Sequence, residues 1–411
     1  MNAEYNARLK RVQDAIAMRE PDRVPCIPHY ESFPYLAAGY TMAEVMYDVE
    51  KAKDAIRKYL RHFEPDMSYG FDGNFAGQGP LLEKLDPKWL SWPGRPGEAD
   101  IGGVQYIENE YMEEDDYPDF LHDHGGWVLR RYLPRAYKSL EPLAALDLRG
   151  GVGYGYGAMA LGFADPAVQQ AFRTLGEAGR LAGAYYGAVG AFEAETEDMG
   201  FPVHTAATIT TAFDALSDCL RGTIPASFDL ISQPEIMHSA VEQLYPGTFF
   251  GAMAQASHSK GRFVFIPMHK GMDGFMSDEQ YAGFYWETLE RLVHALIEAG
   301  QTPLLYTEGR YNTRLEFLKD VPRGKAFVHF ENVDMAQAKK IVGSNVCISG
   351  GMRTDVLVRG TPEKTREEVR RILDICAPGG GYIFDLSDTM EHCKVENVEA
   401  MFDEVKTYGK Y

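Results

Sequence analysis

Two side chains in the C-terminal third could share a metal ion. Glu308 closes the apolar run Leu304-Leu305-Tyr306-Thr307, and His329 closes Ala326-Phe327-Val328. The residues between them carry one helix-start signal, the capping-box pattern Thr313-x-x-Glu316. That spacing predicts a strand, a short helix and a second strand, with each functional residue at a strand end. Were the strands parallel neighbours, about 5 Å apart, a carboxylate and an imidazole would emerge together, the donor types that zinc accepts. The plainer readings are a helix cap or an Arg310 partner for Glu308 and an ordinary core histidine for His329.

Further candidates stand at other strand ends. His29 and Tyr30 follow Arg23-Val24-Pro25-Cys26-Ile27-Pro28, Met268, His269 and Lys270 follow Phe263-Val264-Phe265-Ile266-Pro267, and Tyr306 and Tyr311 flank Glu308. Aromatic and methionine side chains suit a flat aryl ligand. His269 and Tyr306 are the candidates for acid and base work, and His29, Tyr30, Met268 and Tyr311 those for binding. The tract over residues 150–157 lacks the Gly-Lys-Ser/Thr ending of a phosphate loop. The acidic run over residues 113–116 reads as a solvated loop, and His122-Asp123-His124 is weak as a metal motif.

These residues need elements to position them, and the second half repeats strand and helix. Ser277-x-x-Gln280 and Thr361-Pro362 open helices, Gly300 and Gly343 close two, and apolar runs at 262–267, 304–308, 326–329, 346–349 and 382–384 are strands. Such alternation predicts an α/β fold with a parallel sheet and right-handed crossovers, closed into a (β/α)8 TIM barrel. The first 150 or so residues are less regular. They read as a helix over about 3–19, a helix capped by Thr41-x-x-Glu44, and an N-terminal elaboration on the barrel, with no linker composition to split residues 1–411 into separate domains.

Composition narrows the function. The chain has 411 residues, 45% hydrophobic and 12% aromatic, with 60 acidic against 41 basic residues and a net charge of −19. No basic stripe is present to bind nucleic acid, and a polyanionic substrate would be repelled. No apolar run approaches the roughly 18 residues of a membrane span, and the N-terminus lacks a signal-peptide pattern, so a cytoplasmic protein is expected. The five cysteines, Cys26, Cys219, Cys347, Cys376 and Cys393, are scattered without a C-x-x-C pair, which predicts small buried residues rather than disulfides.

Arg23-Val24-Pro25, Gly39-Tyr40-Thr41, Phe63-Glu64-Pro65-Asp66, Arg221-Gly222, Gly360-Thr361-Pro362-Glu363, Gly379-Gly380-Gly381 and Val395-Glu396-Asn397-Val398 occur in an order that resembles the uroporphyrinogen decarboxylase superfamily. The resemblance spans nearly the whole chain and implies a (β/α)8 barrel with its site at the C-terminal mouth. Decarboxylases resembling the namesake hold substrate carboxylates with arginines in a Met-Arg-Gln-Ala-Gly-Arg signature. Here that stretch reads Pro28-His29-Tyr30-Glu31-Ser32-Phe33-Pro34. The other branch comprises corrinoid-dependent methyltransferases, several with zinc on a His-x-Cys, which here reads Tyr306-x-Glu308.

Glu308 with His329 is similar to the carboxylate-and-histidine pattern of the methyltransferase component of anaerobic O-demethylases. The resemblance implies Zn2+ on Glu308, His329 and a third ligand from the last strand, Asp388 with Asp385 as its rival, whereas Cys393 is further along, where the chain is expected to be entering the next helix. It also implies transfer of a methyl group from a methoxylated aromatic to the Co(I) corrinoid (cobalamin) of a partner protein, with zinc or an acid stabilising the departing phenolate. A homodimer is implied by the resemblance alone. The alternatives are a corrinoid methyltransferase for a methylamine, methylthiol or methanol, and a metal-free decarboxylase or binding protein on the same scaffold.

Overall fold

Each apolar run of the second half forms a strand, and together they line up in sequence order. The structure, a computed structural model, describes residues 3–71, 75–98, 101–148, 151 and 153–411, so Gly150 and Val152 of the glycine tract lie outside the described residues. Strands β3 (Thr205–Thr208), β4 (Phe263–Met268), β5 (Thr302–Arg310), β6 (Phe327–Asn332), β7 (Cys347–Gly350) and β8 (Tyr382–Ile383) make one parallel sheet in that order.

Two extended segments from the first 70 residues close it. Ile27 N donates to Phe384 O and Phe384 N to Pro25 O, Asp66 N donates to Cys26 O, and Ser68 N donates to Pro202 O while His204 N donates to Ser68 O. Cys26 with Phe384 and Ser68 with Val203 are parallel bridges. Eight parallel staves therefore complete a (β/α)8 barrel, which leaves no open sheet edge.

Side-chain alternation sorts the staves into two apolar clusters. Ile27, Met67, Phe263, Leu304, Tyr306, Phe327, Cys347 and Ile383 fill the interior, with Tyr69 and Phe265 against them. Val264, Ile266, Met268, Leu305, Val328, Phe330 and Ile348 face the opposite way, into a larger cluster shared with the helices. The outer helices include Pro234–Ala256, Glu287–Glu298, Pro362–Cys376 and Val395–Tyr408. Two of the three expected capping boxes, Thr41 with Glu44 and Ser277 with Gln280, are formed, and Thr361 caps the helix that opens at Pro362.

Three local expectations are corrected. Thr313 and Glu316 make no capping box: Asp273 accepts from Asn312 N, Thr313 N and Thr313 Oγ1, leaving two short turns, Asn312–Arg314 and Phe317–Asp320. The run over residues 113–116 is not a solvated loop throughout, because Asp116 is buried and paired with Arg135. Cys26, Cys347 and Cys376 are buried as expected, but Cys219 is exposed and Cys393 partly so. The elaboration carries a two-stranded antiparallel pair, β1 (Leu90–Ser91) and β2 (Gln105–Tyr106), seated on Trp92. The long helix Pro166–Asp198 precedes β3. No helix among the described residues is long and apolar enough to cross a membrane.

Candidate active site

Strand register sets the depth of every side chain in the barrel mouth. Tyr306 pairs with His329, and His329 with Ser349. Glu308 lies two residues beyond Tyr306, about 6.6 Å further along the strand at the usual rise. Its level on β6 is that of Glu331, whose carboxylate accepts from Gly309 N. Glu308 and His329 therefore stand on adjacent strands but on different layers.

The lower layer is aromatic and tightly bonded. The rings of Tyr306 and His329 stack at 4.0 Å and 5°. His329 Nδ1 lies 3.1 Å from Asp385 Oδ2 and 3.3 Å from Ser349 Oγ. Its Nε2 has no hydrogen-bond partner although the residue is only 1% exposed. Asp385 also accepts from His29 N at 2.8 Å and Leu386 N at 2.8 Å. The His29 ring stacks on Tyr69 at 4.5 Å, and its Nδ1 is 3.3 Å from the Tyr306 hydroxyl. Burial pulls the His29 imidazole down to about 4 against the charge of Asp385, so this ring is neutral at physiological pH.

The upper layer is charged. His269 Nδ1 donates to Asp218 Oδ2 at 2.6 Å, and its Nε2 lies 3.5 Å from Glu308 Oε2. Burial alone would lower the His269 pKa. The hydrogen bonds to Asp218 and Glu308 and the charges of Asp214 and Glu308 outweigh it and push the imidazole up to about 11. Asp214, fully buried, fixes the loop by accepting from His269 N at 3.1 Å, Lys270 N at 2.9 Å and the Tyr285 hydroxyl at 2.7 Å. Lys270 Nζ reaches Asp218 Oδ1 at 3.1 Å. The arrangement presents a protonated imidazole, held between two carboxylates, above a wall of aromatic rings.

Of the expected site residues, His29, His269, Tyr306, Glu308 and His329 line this mouth. Tyr30, Met268 and Tyr311 do not. Tyr30 and Met268 each neighbour an inward residue and so point to the helix layer, where Tyr30 donates to Gly70 O. Tyr311 is buried there too, donating to Met268 O. Asp388 lies in an exposed turn whose own amide donates to Thr354 Oγ1, and it is Asp385 that meets His329.

The expected zinc ligands are thus not brought together. His329, with Nδ1 fixed by a carboxylate and Nε2 free, has the form of a ligating histidine. Glu308, however, is one layer higher and engaged by His269. Among the described residues no group of three or more His, Cys, Asp or Glu side chains is arranged to hold a metal ion.

Asp214 and Asp218 escaped the sequence reading. They lie on the helix Ala212–Leu216 and the π-helical turn Ser217–Arg221 after β3. Their spacing of four residues, which places two carboxylates on one helical face in an apolar segment, was the available signal.

Comparison with known proteins gives the family of the chain. Residues 184–408 match the model of the family described as uroporphyrinogen decarboxylase. The chain is 24% identical to a uroporphyrinogen decarboxylase of Mannheimia succiniciproducens over 186 residues, 44% of this chain and 51% of that one. It is 29% identical to one of Cellvibrio japonicus over 161 residues, 38% and 44% of the two chains. It therefore spans about half the length of the curated relatives it matches. A solved methyltransferase from Methanosarcina mazei superposes over 98% of both chains with a TM-score of 0.64 at 12% identity, a likeness of fold.

Proposed function

The chain belongs to the uroporphyrinogen decarboxylase family, and from that premise we propose that it is a methyltransferase which moves the methyl group of a methoxylated aromatic to the Co(I) corrinoid of a partner protein. The observation that carries this reading is the His269 imidazolium, held by Asp218 and Glu308 over an aromatic-walled mouth.

The corrinoid, as methyl acceptor, supplies the nucleophile. The methyl–oxygen bond breaks with its electron pair going to the aryl oxygen, and that developing phenolate needs a proton or a positive neighbour. His269 meets the need from Nε2, turned toward Glu308 at the upper layer. The proton passes to an oxygen whose conjugate acid has a pKa near 10, as in tyrosine, so transfer from an imidazolium raised to about 11 is close to balanced. Asp218 holds Nδ1 and keeps the ring charged, Asp214 fixes the loop, and the half-buried rings of His29 and Phe265, at the surface of the aromatic layer beneath, stand toward a flat ring. In this reading the acid is a protein group. The zinc expected on Glu308, His329 and Asp388 would require those side chains to regroup.

The test supplies a methoxyarene such as guaiacol with Co(I) cobalamin or its carrier protein and measures free phenol and corrinoid methylation. His269→Gln should slow phenol release by about 100-fold or more, the usual worth of a positioned acid, with the barrel still folded. Turnover of a methylamine or methanol in place of every methoxyarene would move the assignment to another methyl donor.

A further inference from the structure

The elaboration ahead of β3 carries a helix that the described residues leave on the surface. Tyr156–Ala164 reads Tyr-Gly-Ala-Met-Ala-Leu-Gly-Phe-Ala, without a charge, and none of its residues is buried. A surface helix ordinarily turns an apolar stripe to the core and a polar face to water, so one that is apolar all round and lies outside has a face still to cover. Phe163, near its end, meets Phe172 of the next helix with ring centroids 5.8 Å apart. That contact joins the short helix to the outer face of Pro166–Asp198.

The second helix is 33 residues long, and Ala171, Ala178, Tyr185 and Phe192 are buried on its core side. One residue on, about 100° round the helix, runs a heptad seam of Phe172, Gly176, Gly179, Gly183, Tyr186 and Gly190, in alternating steps of four and three. Phe172 and Tyr186 are 38% and 66% exposed. Gly176, Gly179 and Gly183 are exposed, Gly190 is half-buried, and a Cβ added at any of the four would meet nothing within 4 Å. Glycine weakens a helix interior relative to alanine, and no neighbour in the chain requires it here. Arg173 and Arg180 border the seam on its exposed side.

We propose that a second copy of this chain covers the face, the two Pro166–Asp198 helices packing antiparallel about a two-fold axis beside Leu181. In that register Phe172 faces the partner's Gly190, Tyr186 the partner's Gly176, and Gly179 the partner's Gly183. Each ring meets bare backbone, and the two-fold repeats every contact, the self-complementarity that an isologous interface needs. Tyr154, Tyr156, Leu161, Phe163, Phe172 and Tyr186, which are 37% to 102% exposed, present on the order of 800 Å² at about 200 Å² for a fully exposed large side chain. That exceeds the roughly 300 to 600 Å² of the largest apolar patch on a typical monomer and matches the roughly 800 Å² each partner gives to a stable interface. A bilayer fits less well, since the uncharged helix has none of the Lys and Arg that hold an interfacial helix on anionic lipid, and the net charge of −19 opposes it.

Sedimentation equilibrium of the full chain should give twice its mass of 46.0 kDa at about 10 μM protein. Gly179→Leu with Gly183→Leu fills the seam where the single chain has open space. It should weaken the dimer by about 100-fold or more while the circular dichroism spectrum is kept. The register is tested in a Cys219→Ser background, which removes the exposed native thiol. There, Gly179→Cys with Gly183→Cys should yield disulfide-linked dimers on oxidation, because the two new thiols face each other across the axis, and Gly179→Cys alone should not. A chain that stays monomeric at that concentration, a dimer that the leucine pair leaves equally tight, or equal cross-linking through Gly179→Cys alone would overturn the proposal. So would a monomer that binds vesicles of mixed zwitterionic and anionic phospholipid, which would assign the face to a membrane.

Discussion

Tyr306 and His329 lie ring on ring, 4.0 Å apart and 5° from parallel, because β5 and β6 pair them in register. The stack fixes one face of the imidazole while Asp385 holds its Nδ1. Tyr306→Ala should cost about 3 to 5 kcal/mol, the range for deleting a buried aromatic. Tyr306→Phe, which loses only the contact to His29 Nδ1, should cost about 1 kcal/mol. Urea unfolding separates the two, and equal losses would show that the hydroxyl, not the stack, supports the layer.

The charge on His269 should appear in its pH dependence. The folded pKa, about 11, lies above the ordinary 6.5, so the stabilisation is fully present below about 6.5 and is lost as pH rises through about 11. Phenol release should fall on the same alkaline limb. Asp218→Asn removes the partner on Nδ1 and should bring that limb down by about one to three pH units, the size of a lost charge partner. A pH–rate profile unchanged by Asp218→Asn would remove His269 from the role of acid.

Zinc analysis tests the layer argument. With Glu308 bound to His269 and one level above His329, the described arrangement predicts that zinc is lost on dialysis against a mild chelator. Retention of about one zinc per chain, the stoichiometry of a three-ligand site, together with its loss in Glu308→Gln and His329→Ala, would show that these side chains regroup around the metal.

The family's namesake substrate provides a fourth test. The stretch Pro28-His29-Tyr30-Glu31-Ser32-Phe33-Pro34 has no arginine. Uroporphyrinogen, with its many carboxylates, should be neither bound nor decarboxylated. Formation of coproporphyrinogen, followed by its fluorescence after oxidation, would refute this.

Much of the fold was legible because strand and helix signals are local. The apolar runs at Phe263, Leu304, Phe327 and Cys347, the caps at Thr41, Ser277 and Thr361, and the alternation between them depend on neighbours a few residues away. The staves at Cys26 and Ser68 were less legible. Each is a short extended segment whose partners, Phe384 and Val203, lie more than a hundred residues away.

The site divides along the same line. Residue type and strand-end position marked His29, His269, Tyr306, Glu308 and His329, since the C-terminal mouth of a barrel collects whatever polar groups end its strands. Layer and orientation came only with tertiary structure. A one-residue step turns Tyr30 and Met268 to the helix side, a two-residue step lifts Glu308 above His329, and a bulge after Thr307 sets Gly309 against Glu331. Asp218 reaches His269 across 51 residues of sequence and Asp385 reaches His329 across 56. Which of several nearby acids meets an imidazole is decided by the depth at which closed staves present it, a quantity set by hydrogen-bond register between strands.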